Sequence, residues 1–167
     1  MYIIGIQYES IVDGEGLRLT LFVSGCKWNC EGCQNIDSHN FTNGKKFDMA
    51  LQNHIIEYIQ NNPMIKGITL SGGDPMFSAI EVLEFAKELK IKVPYINIWC
   101  YTGFTFEEII KRDDAKTFLL NICDVLVDGK FDINQRDITL SYRGSCNQRI
   151  VDVRESLKQN KCILYNN

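Results

Sequence analysis

Three of the seven cysteines in this 167-residue chain lie close together and carry the clearest chemical signal in the sequence. Cys26, Cys30 and Cys33 follow the spacing C-x-x-x-C-x-x-C in the segment GCKWNCEGC. Closely spaced thiolates bind zinc and the iron of iron-sulfur clusters. A structural zinc site or a conventional four-cysteine cluster needs a fourth protein ligand. Three thiolates on a four-iron cluster leave one iron open, and an open position distinguishes a catalytic metal centre from a structural one.

The other four cysteines are scattered, so structural zinc stays open as an alternative from the residues alone. They are Cys100, Cys123, Cys146 and Cys162. No second C-x-x-C pair occurs, but one of them or His39 could supply a fourth ligand. Cys100 and Cys123 follow apolar residues, and these two cysteines and Cys162 are expected to be small buried side chains. Cys146 lies in a glycine-rich turn with no assignable role, and His39 is most simply a surface polar residue.

The strands that position the cysteine segment are predicted from apolar runs and turn residues. Four β-branched or aromatic runs predict buried strands at residues 17–24, 67–70, 95–100 and 124–127. The first of these strands ends just before Cys26. Alternating apolar residues at 138–142 and 151–153 predict further strands at an edge of the sheet.

Helices are predicted between the strands from their capping residues. Asp48 is expected to cap a helix that reaches about residue 60. The sequences S-x-x-E at 78–81 and T-x-x-E at 105–108 are capping boxes that predict two more helix starts. Strands separated by helices indicate an α/β fold with parallel pairing and right-handed crossovers.

In such a fold, ligand sites lie at the carboxyl ends of the strands. The cysteine segment, the pair Gly72 and Gly73, and the pair Thr102 and Gly103 all follow predicted strands. We therefore expect these three segments to share one rim of the sheet. The length of the chain is that of one ordinary domain, so residues 1–167 are expected to form a single domain.

Composition narrows the classes of function. Apolar residues make up 45% of the chain and charged residues 23%, as in soluble globular proteins, and the formal net charge is −3. There is no global positive field to attract nucleic acid. No signal peptide and no membrane-spanning run is predicted. Because neither is predicted, we expect a cytoplasmic protein. The odd number of cysteines separately argues against a complete disulfide framework.

The chain resembles the radical S-adenosylmethionine (SAM) superfamily and, in more detail, the activating enzymes of anaerobic ribonucleoside-triphosphate reductase. The similarity runs with gaps from about Ser10 to Leu157. It rests on VDGEGLRLTLFVSGCKWNCEGCQN, on residues 68–75 with the sequence ITLSGGDP, and on WCYTGFTFEE, DVLVDGKFD and YRGSCNQRIVDV. The cysteine triad and GGDP mark the superfamily, while the short length and the R-G-S-x-N-Q-R sequence point to this activase.

The resemblance implies a fold, cofactors and partners. The expected fold is an incomplete parallel β/α barrel with C-terminal strands at its edge. Cys26, Cys30 and Cys33 would bind a 4Fe-4S cluster whose open iron is chelated by SAM, and Gly72, Gly73 and Asp74 resemble the segment that hydrogen-bonds the methionine amino group. The reduced cluster would cleave SAM, and the 5′-deoxyadenosyl radical would take a hydrogen from a glycine of the reductase. A low-potential donor such as flavodoxin would supply the electron.

Two enzymatic alternatives remain within the superfamily: an activase of another glycyl radical enzyme, and a 7-carboxy-7-deazaguanine synthase. Their chains are usually longer, and YRGSCNQRIVDV speaks against both. A non-catalytic zinc or iron-sulfur module is the alternative from a different class. Arg18, Arg143 and Arg149 could bind the SAM carboxylate or an acidic patch of the reductase, although solvent-exposed strand arginines are the simpler interpretation. Trp28 would cover the cluster or contact the partner, and Trp99 would pack in the core.

Overall fold

The computed structural model of the protein describes residues 1–166, whose strands join one seven-stranded sheet. The strands are β1 (Tyr2–Ser10), β2 (Arg18–Val23), β3 (Lys45–Lys46), β4 (Gly67–Gly72), β5 (Asn97–Tyr101), β6 (Val125–Asp128) and β7 (Arg149–Asp152). The α-helices are α1 (Met49–Asn61), α2 (Ala79–Lys92), α3 (Phe106–Ile110), α4 (Ala115–Ile122) and α5 (Val153–Gln159). Short 3-10 helices lie at Ile36–His39, Pro75–Ser78 and Ile133–Gln135.

The order of strands across the sheet is β3-β1-β2-β4-β5-β6-β7. The central strands β2, β4, β5 and β6 are parallel, as the strand-helix alternation predicts. Strands β1, β3 and β7 extend the sheet in antiparallel pairing. The predicted α/β class is confirmed, and the sheet is mixed and open.

Hydrophobic packing divides between the two faces of the sheet because successive residues of a strand point to opposite sides. On one face, strand residues such as Leu21, Leu70 and Leu126 pack with the buried sides of the helices in one large cluster. On the other face, Trp99 belongs to a smaller cluster bordered by tyrosines, and it is fully buried as predicted. No described helix has the length and apolar character needed to cross a membrane.

Arg18, at the amino end of β2, is a buried structural residue and not an exposed arginine. Only 1% of it is exposed, and its guanidinium donates to Thr69 Oγ1 at 2.9 Å, to Glu15 O at 2.8 Å and to Asn97 Oδ1 at 3.0 Å. Burial lowers its pKa to about 10. It also stacks over Trp99, 5.2 Å from the ring centre. Arg18 therefore ties together the amino ends of β2, β4 and β5, far from the rim where the cysteines lie.

Two of the three predicted helix starts are confirmed. The Asp48 side chain accepts from Leu51 N at the start of α1, and Thr105 forms a reciprocal capping box at the start of α3. The predicted capping box at Ser78 is wrong, since Ser78 precedes α2 but makes no side-chain cap bond. A 3-10 helix leads directly into α2, and Asp74 caps that helix instead.

The predicted strand at 138–142 is wrong, because local turn chemistry overrides the apolar alternation. Asp137 Oδ1 accepts from the backbone and hydroxyl of Thr139, and Tyr142 has a left-handed φ of 59°. Ile138 is 86% exposed. The strand expected near Val151 is present as β7, but Val153 begins α5 and is not in the strand. Strand β1 was not predicted.

Candidate functional site

The site lies at the carboxyl ends of the parallel strands, where the loops after β2, β4 and β5 meet. Gly73 N donates to Val23 O at 2.7 Å, and Asp74 N donates to Gly25 O at 2.9 Å. The loop after β5 joins them through Gly103 N, which donates to Asp74 Oδ2 at 3.0 Å. The prediction that the cysteine segment, the glycine pair at the end of β4 and the turn after β5 share one rim is confirmed.

The cysteine segment is an irregular loop that carries three free, half-buried thiols, those of Cys26, Cys30 and Cys33. The loop is anchored by a hydrogen bond from Cys26 N to His39 O at 3.2 Å and turns through one from Cys33 N to Cys30 O at 3.2 Å. His39 is half-buried, and its Nε2 is shielded without a hydrogen-bond partner in residues 1–166. The expectation that His39 is a surface residue is therefore wrong.

Burial opposes ionisation of two of these thiols. The pKa of Cys26 is raised to about 11, chiefly because burial removes solvent from the thiolate. The pKa of Cys30 is raised by burial and by the neighbouring Cys33, while a backbone hydrogen bond from Phe131 and the charge of Lys130 act in the opposite direction. A bound metal favours the thiolate by replacing the proton with positive charge.

Asp74 is the polar centre of the rim and is only 1% exposed. Its Oδ2 accepts hydrogen bonds from Trp28 Nε1 at 2.6 Å, Thr102 Oγ1 at 2.9 Å and Gly103 N at 3.0 Å. Its Oδ1 accepts from Met76 N at 2.9 Å. Burial raises the pKa of Asp74, and these hydrogen bonds oppose the rise. A carboxylate has about four acceptor positions, so this one is occupied by partners within the chain.

Trp28 forms one wall of the cysteine loop and faces inward. Its ring lies edge-on to Phe104, with centroids 4.6 Å apart, and 5.5 Å from the ring of Phe77. Glycine is required at Gly103, because a Cβ there would lie 2.5 Å from Trp28 Cδ1. The covering role predicted for Trp28 suits this position better than a contact with a partner.

Lys130 is a site residue that the sequence reasoning missed. Its Nζ lies 4.2 Å from the centre of the Trp28 ring, and its positive charge acts to lower the pKa of the Cys30 thiol. The available signal was its place two residues past the end of β6, beside the turn at Asp128 and Gly129. A basic residue immediately after a parallel strand lies at the ligand-binding edge.

The other two arginines also bind within the chain. Arg149 donates to the buried Asp128 carboxylate, with Nε 3.0 Å from Oδ1, and to Glu107 at 2.7 Å and 3.1 Å. Arg143 Nη1 donates to a backbone oxygen of the following turn, that of Gln148, at 2.7 Å. Both residues therefore brace loops at the rim, and neither matches the expectation of an exposed strand arginine.

The four scattered cysteines lie outside the cysteine segment and differ from one another in burial. Cys100 and Cys123 are buried as predicted, whereas the same prediction for Cys162 is wrong, because it is half-buried near the end of the chain. Cys146 is exposed. Among residues 1–166, no three histidine, cysteine or acidic side chains converge to hold a single metal ion. The arrangement does not reproduce the closed four-ligand geometry of a structural zinc site.

The donor set fits an iron-sulfur cluster better than a lone ion. Three soft thiols on one loop, partly shielded from solvent and free of disulfides, are the ligands that such clusters use. A cavity of about 240 Å³ opens beside this loop and is lined by Phe22, Gln34, Asn35 and Gly72, among others. Asn35 Nδ2 donates to Gly72 O at 3.2 Å and closes one side of it.

Comparison with known proteins agrees with this chemistry. Residues 12–151 match the family described as "4Fe-4S single cluster domain". The anaerobic ribonucleoside-triphosphate reductase-activating protein of Pasteurella multocida (strain Pm70) is 40% identical over 150 residues, which cover 87% of this chain and 94% of that protein. The protein of the same name from Haemophilus influenzae is 41% identical over 87% of this chain and 95% of its own length. That from Escherichia coli (strain K12) is 37% identical over 86% of this chain and 94% of its own length. The chain therefore belongs to the family of anaerobic ribonucleoside-triphosphate reductase-activating proteins.

Proposed function

We propose that this protein activates an anaerobic ribonucleoside-triphosphate reductase by generating a glycyl radical on it. The observation that carries the proposal is the loop of three free thiols, Cys26, Cys30 and Cys33, at the ligand-binding rim of an α/β sheet. Three ligands leave a four-iron cluster one open iron for a substrate. The names of relatives covering most of the chain support the reductase as the target.

Cys26, Cys30 and Cys33 would hold the 4Fe-4S cluster. When bound, the cluster supplies the electron that divides SAM into methionine and a 5′-deoxyadenosyl radical, and that radical takes a hydrogen atom from glycine to give 5′-deoxyadenosine and a glycyl radical. The chain's contribution is to bind, orient and shield. Trp28, Phe77 and Phe104 form an aromatic wall beside the loop that keeps water from that side.

We assign the methionine end of SAM to the segment of Gly72, Gly73 and Asp74, next to the cavity. The glycines let the backbone approach a ligand closely. In this arrangement the Asp74 carboxylate already accepts four hydrogen bonds within the chain. We therefore propose that Gly72 and Gly73 make the direct contact through their backbone, while Asp74 holds the segment in place.

The finer features of the proposal concern the fold, the donor and the compartment. The helices and the large hydrophobic cluster lie on one face of the open sheet, which supports an incomplete β/α barrel. Reduced flavodoxin, or an equivalent low-potential donor, is the electron source we propose. The cytoplasm is the compartment we propose, because seven free thiols suit a reducing environment.

The test is SAM cleavage by the anaerobically reconstituted protein. With dithionite and SAM, we expect reductive cleavage to 5′-deoxyadenosine and methionine, measured by liquid chromatography. Iron and sulfide analysis confirms that the metal site is full. Intact SAM in the presence of a full cluster would reject the proposal in favour of a non-catalytic iron-sulfur module, and bound zinc without sulfide would favour a structural site.

A further inference from the structure

The loop after β6 lies along the cysteine segment and presents a positive charge to it. We call residues 129–137 the cover segment. Lys130 Nζ lies 4.2 Å from the centre of the Trp28 ring. Ile133 packs so closely on Gly32 that a Cβ there would lie 2.8 Å from Ile133 Cδ1. The cover segment therefore forms one side of the proposed cluster site.

The cover segment is held in place by a second turn, residues 144–148, which we call the brace turn. Asn147 Nδ2 donates to Lys130 O at 2.8 Å, and Gln148 Nε2 donates to Gly129 O at 3.1 Å. Backbone bonds continue the pairing, with Cys146 N donating to Gln135 O at 2.9 Å. The two side-chain hydrogen bonds therefore hold the backbone carbonyl groups immediately before and after the Cα of Lys130, which carries the positive charge.

The brace turn is itself rigidly folded. Gln148 Oε1 accepts from Gly144 N at 2.9 Å and from Ser145 N at 3.2 Å, so one side chain closes the turn and also reaches the cover segment. Ser145 is fully buried, and its Oγ accepts from Asp132 N at 3.2 Å. Next along the chain, Arg149 is anchored to Asp128. The R-G-S-x-N-Q-R sequence is thus explained as a brace and not as a ligand-binding motif.

We propose that Asn147 and Gln148 are positioning residues that hold the Lys130 ammonium beside the cysteine loop, where its charge makes the bound cluster easier to reduce. Reduction adds a negative charge to the cluster, and a fixed cation nearby stabilises the reduced form. Local charge is one of the factors that set the potential of iron-sulfur clusters. The inference rests on the proposed function insofar as it requires the cluster at Cys26, Cys30 and Cys33.

The experiment is a redox titration of the anaerobically reconstituted protein without SAM. The electron paramagnetic resonance signal of the reduced cluster is measured at each potential. Lys130→Met should shift the potential to more negative values by about 59 mV, the equivalent of a tenfold loss in affinity for one electron. Asn147→Ala should shift it in the same direction by a smaller amount. In the Lys130→Met background, Asn147→Ala should cause no further shift, since the charge it positions is gone.

Lys66→Met is the matched control for loss of a lysine charge. Lys66 is exposed and immediately precedes β4, so the length of that strand places it about 17 Å from the rim. Its substitution should leave the potential unchanged. Asn147 is exposed and makes one side-chain hydrogen bond within residues 1–166, so its variant should fold even if substitution of Gln148 disrupts the turn.

Two results would overturn the inference: an unchanged potential in Lys130→Met, or an equal shift from Asn147→Ala with and without Lys130. Either result can occur while the wild-type protein assembles a cluster and cleaves SAM. In that case the proposed function stands, and only the inferred effect of Lys130 and its positioning on the potential is rejected. A wild-type protein that assembles no cluster under reconstitution would remove both.

Discussion

Replacing Trp28 with phenylalanine isolates the hydrogen bond that joins the cysteine loop to the centre of the site. Phenylalanine keeps an aromatic ring between Phe77 and Phe104 but removes the Nε1 donor, which lies 2.6 Å from Asp74 Oδ2. The three other donors to the Asp74 carboxylate remain. The substitution therefore tests one contact of a buried network and leaves the rest in place.

The magnitude follows from the type of bond. A hydrogen bond to a charged group contributes about 1.5–3 kcal/mol, and we expect Trp28→Phe to lower the free energy of unfolding by about 2 kcal/mol. For a chain of this size, that loss corresponds to a fall in Tm of about 4–8 °C. Asp74→Asn should also destabilise the protein, because its NH2 group must face at least one of the backbone or side-chain donors.

The assay is a double-mutant cycle on anaerobically reconstituted protein, with unfolding followed by circular dichroism at equal cluster content. Trp28→Phe and Asp74→Asn should be coupled by about 1–2 kcal/mol, as expected for residues in contact. Trp99→Phe is the matched control, since Trp99 packs against Tyr142 and Tyr165 on the opposite face. Its effect should add to that of Asp74→Asn within about 0.5 kcal/mol. Additivity of the Trp28 and Asp74 variants would refute the assignment of this bond as the link between the loops.

Three further substitutions test other parts of the site. Cys30→Ala should abolish cluster assembly and SAM cleavage, whereas Cys123→Ala, in the buried core, should leave both largely intact; equal loss would contradict the ligand assignment. Gly73→Ala would place a Cβ 2.5 Å from the backbone oxygen of Gly25. We therefore expect the free energy of unfolding to fall by about 1–3 kcal/mol and the iron content of the reconstituted protein to fall as well. Unchanged values for both would argue against the close packing of these loops. Glu107→Gln should cost about 0.5–1 kcal/mol at pH 7. The Arg149 fork lowers the pKa of Glu107, so this stabilisation is present above the ordinary value of 4.5 and is lost as the pH falls through the lower folded value. The difference in the free energy of unfolding between the two proteins should shrink as the pH falls below 4.5 and vanish below the lowered pKa of Glu107, and a constant difference would exclude the ion pair as its source.

The sequence was most informative where strands are buried on both sides. Continuous apolar runs predicted β2, β4, β5 and β6 within a few residues of their ends, and the loops after the first three were correctly expected at one rim. The same kind of signal is weak in β1, which lies between β2 and the two-residue β3 and alternates exposed and buried positions irregularly. At 138–142 the alternation was misleading, because Asp137 forms a turn with Thr139 that ends any extended run.

The polar part of the site was less predictable because it depends on contacts between distant residues. The hydrogen-bond partners of Arg18 include Thr69 and Asn97, which lie 51 and 79 positions further along the chain. Nothing in the sequence near Arg18 indicates that they will surround its guanidinium. Asp74 was identified by its motif, but its bonds to Trp28 and Thr102 follow only from the meeting of three loops. The cysteine spacing, by contrast, is a local signal, and it predicts the candidate ligands without any knowledge of the fold.

Hydrogen transfer between the reductase and SAM tests the central claim most directly. The reductase would be prepared with deuterated glycine and incubated anaerobically with the reconstituted protein, SAM and a reductant. We predict a glycyl radical signal on the reductase, measured by electron paramagnetic resonance, and deuterium in the 5′-deoxyadenosine, measured by mass spectrometry. Formation of 5′-deoxyadenosine without deuterium and without a radical on the reductase would contradict the proposed function.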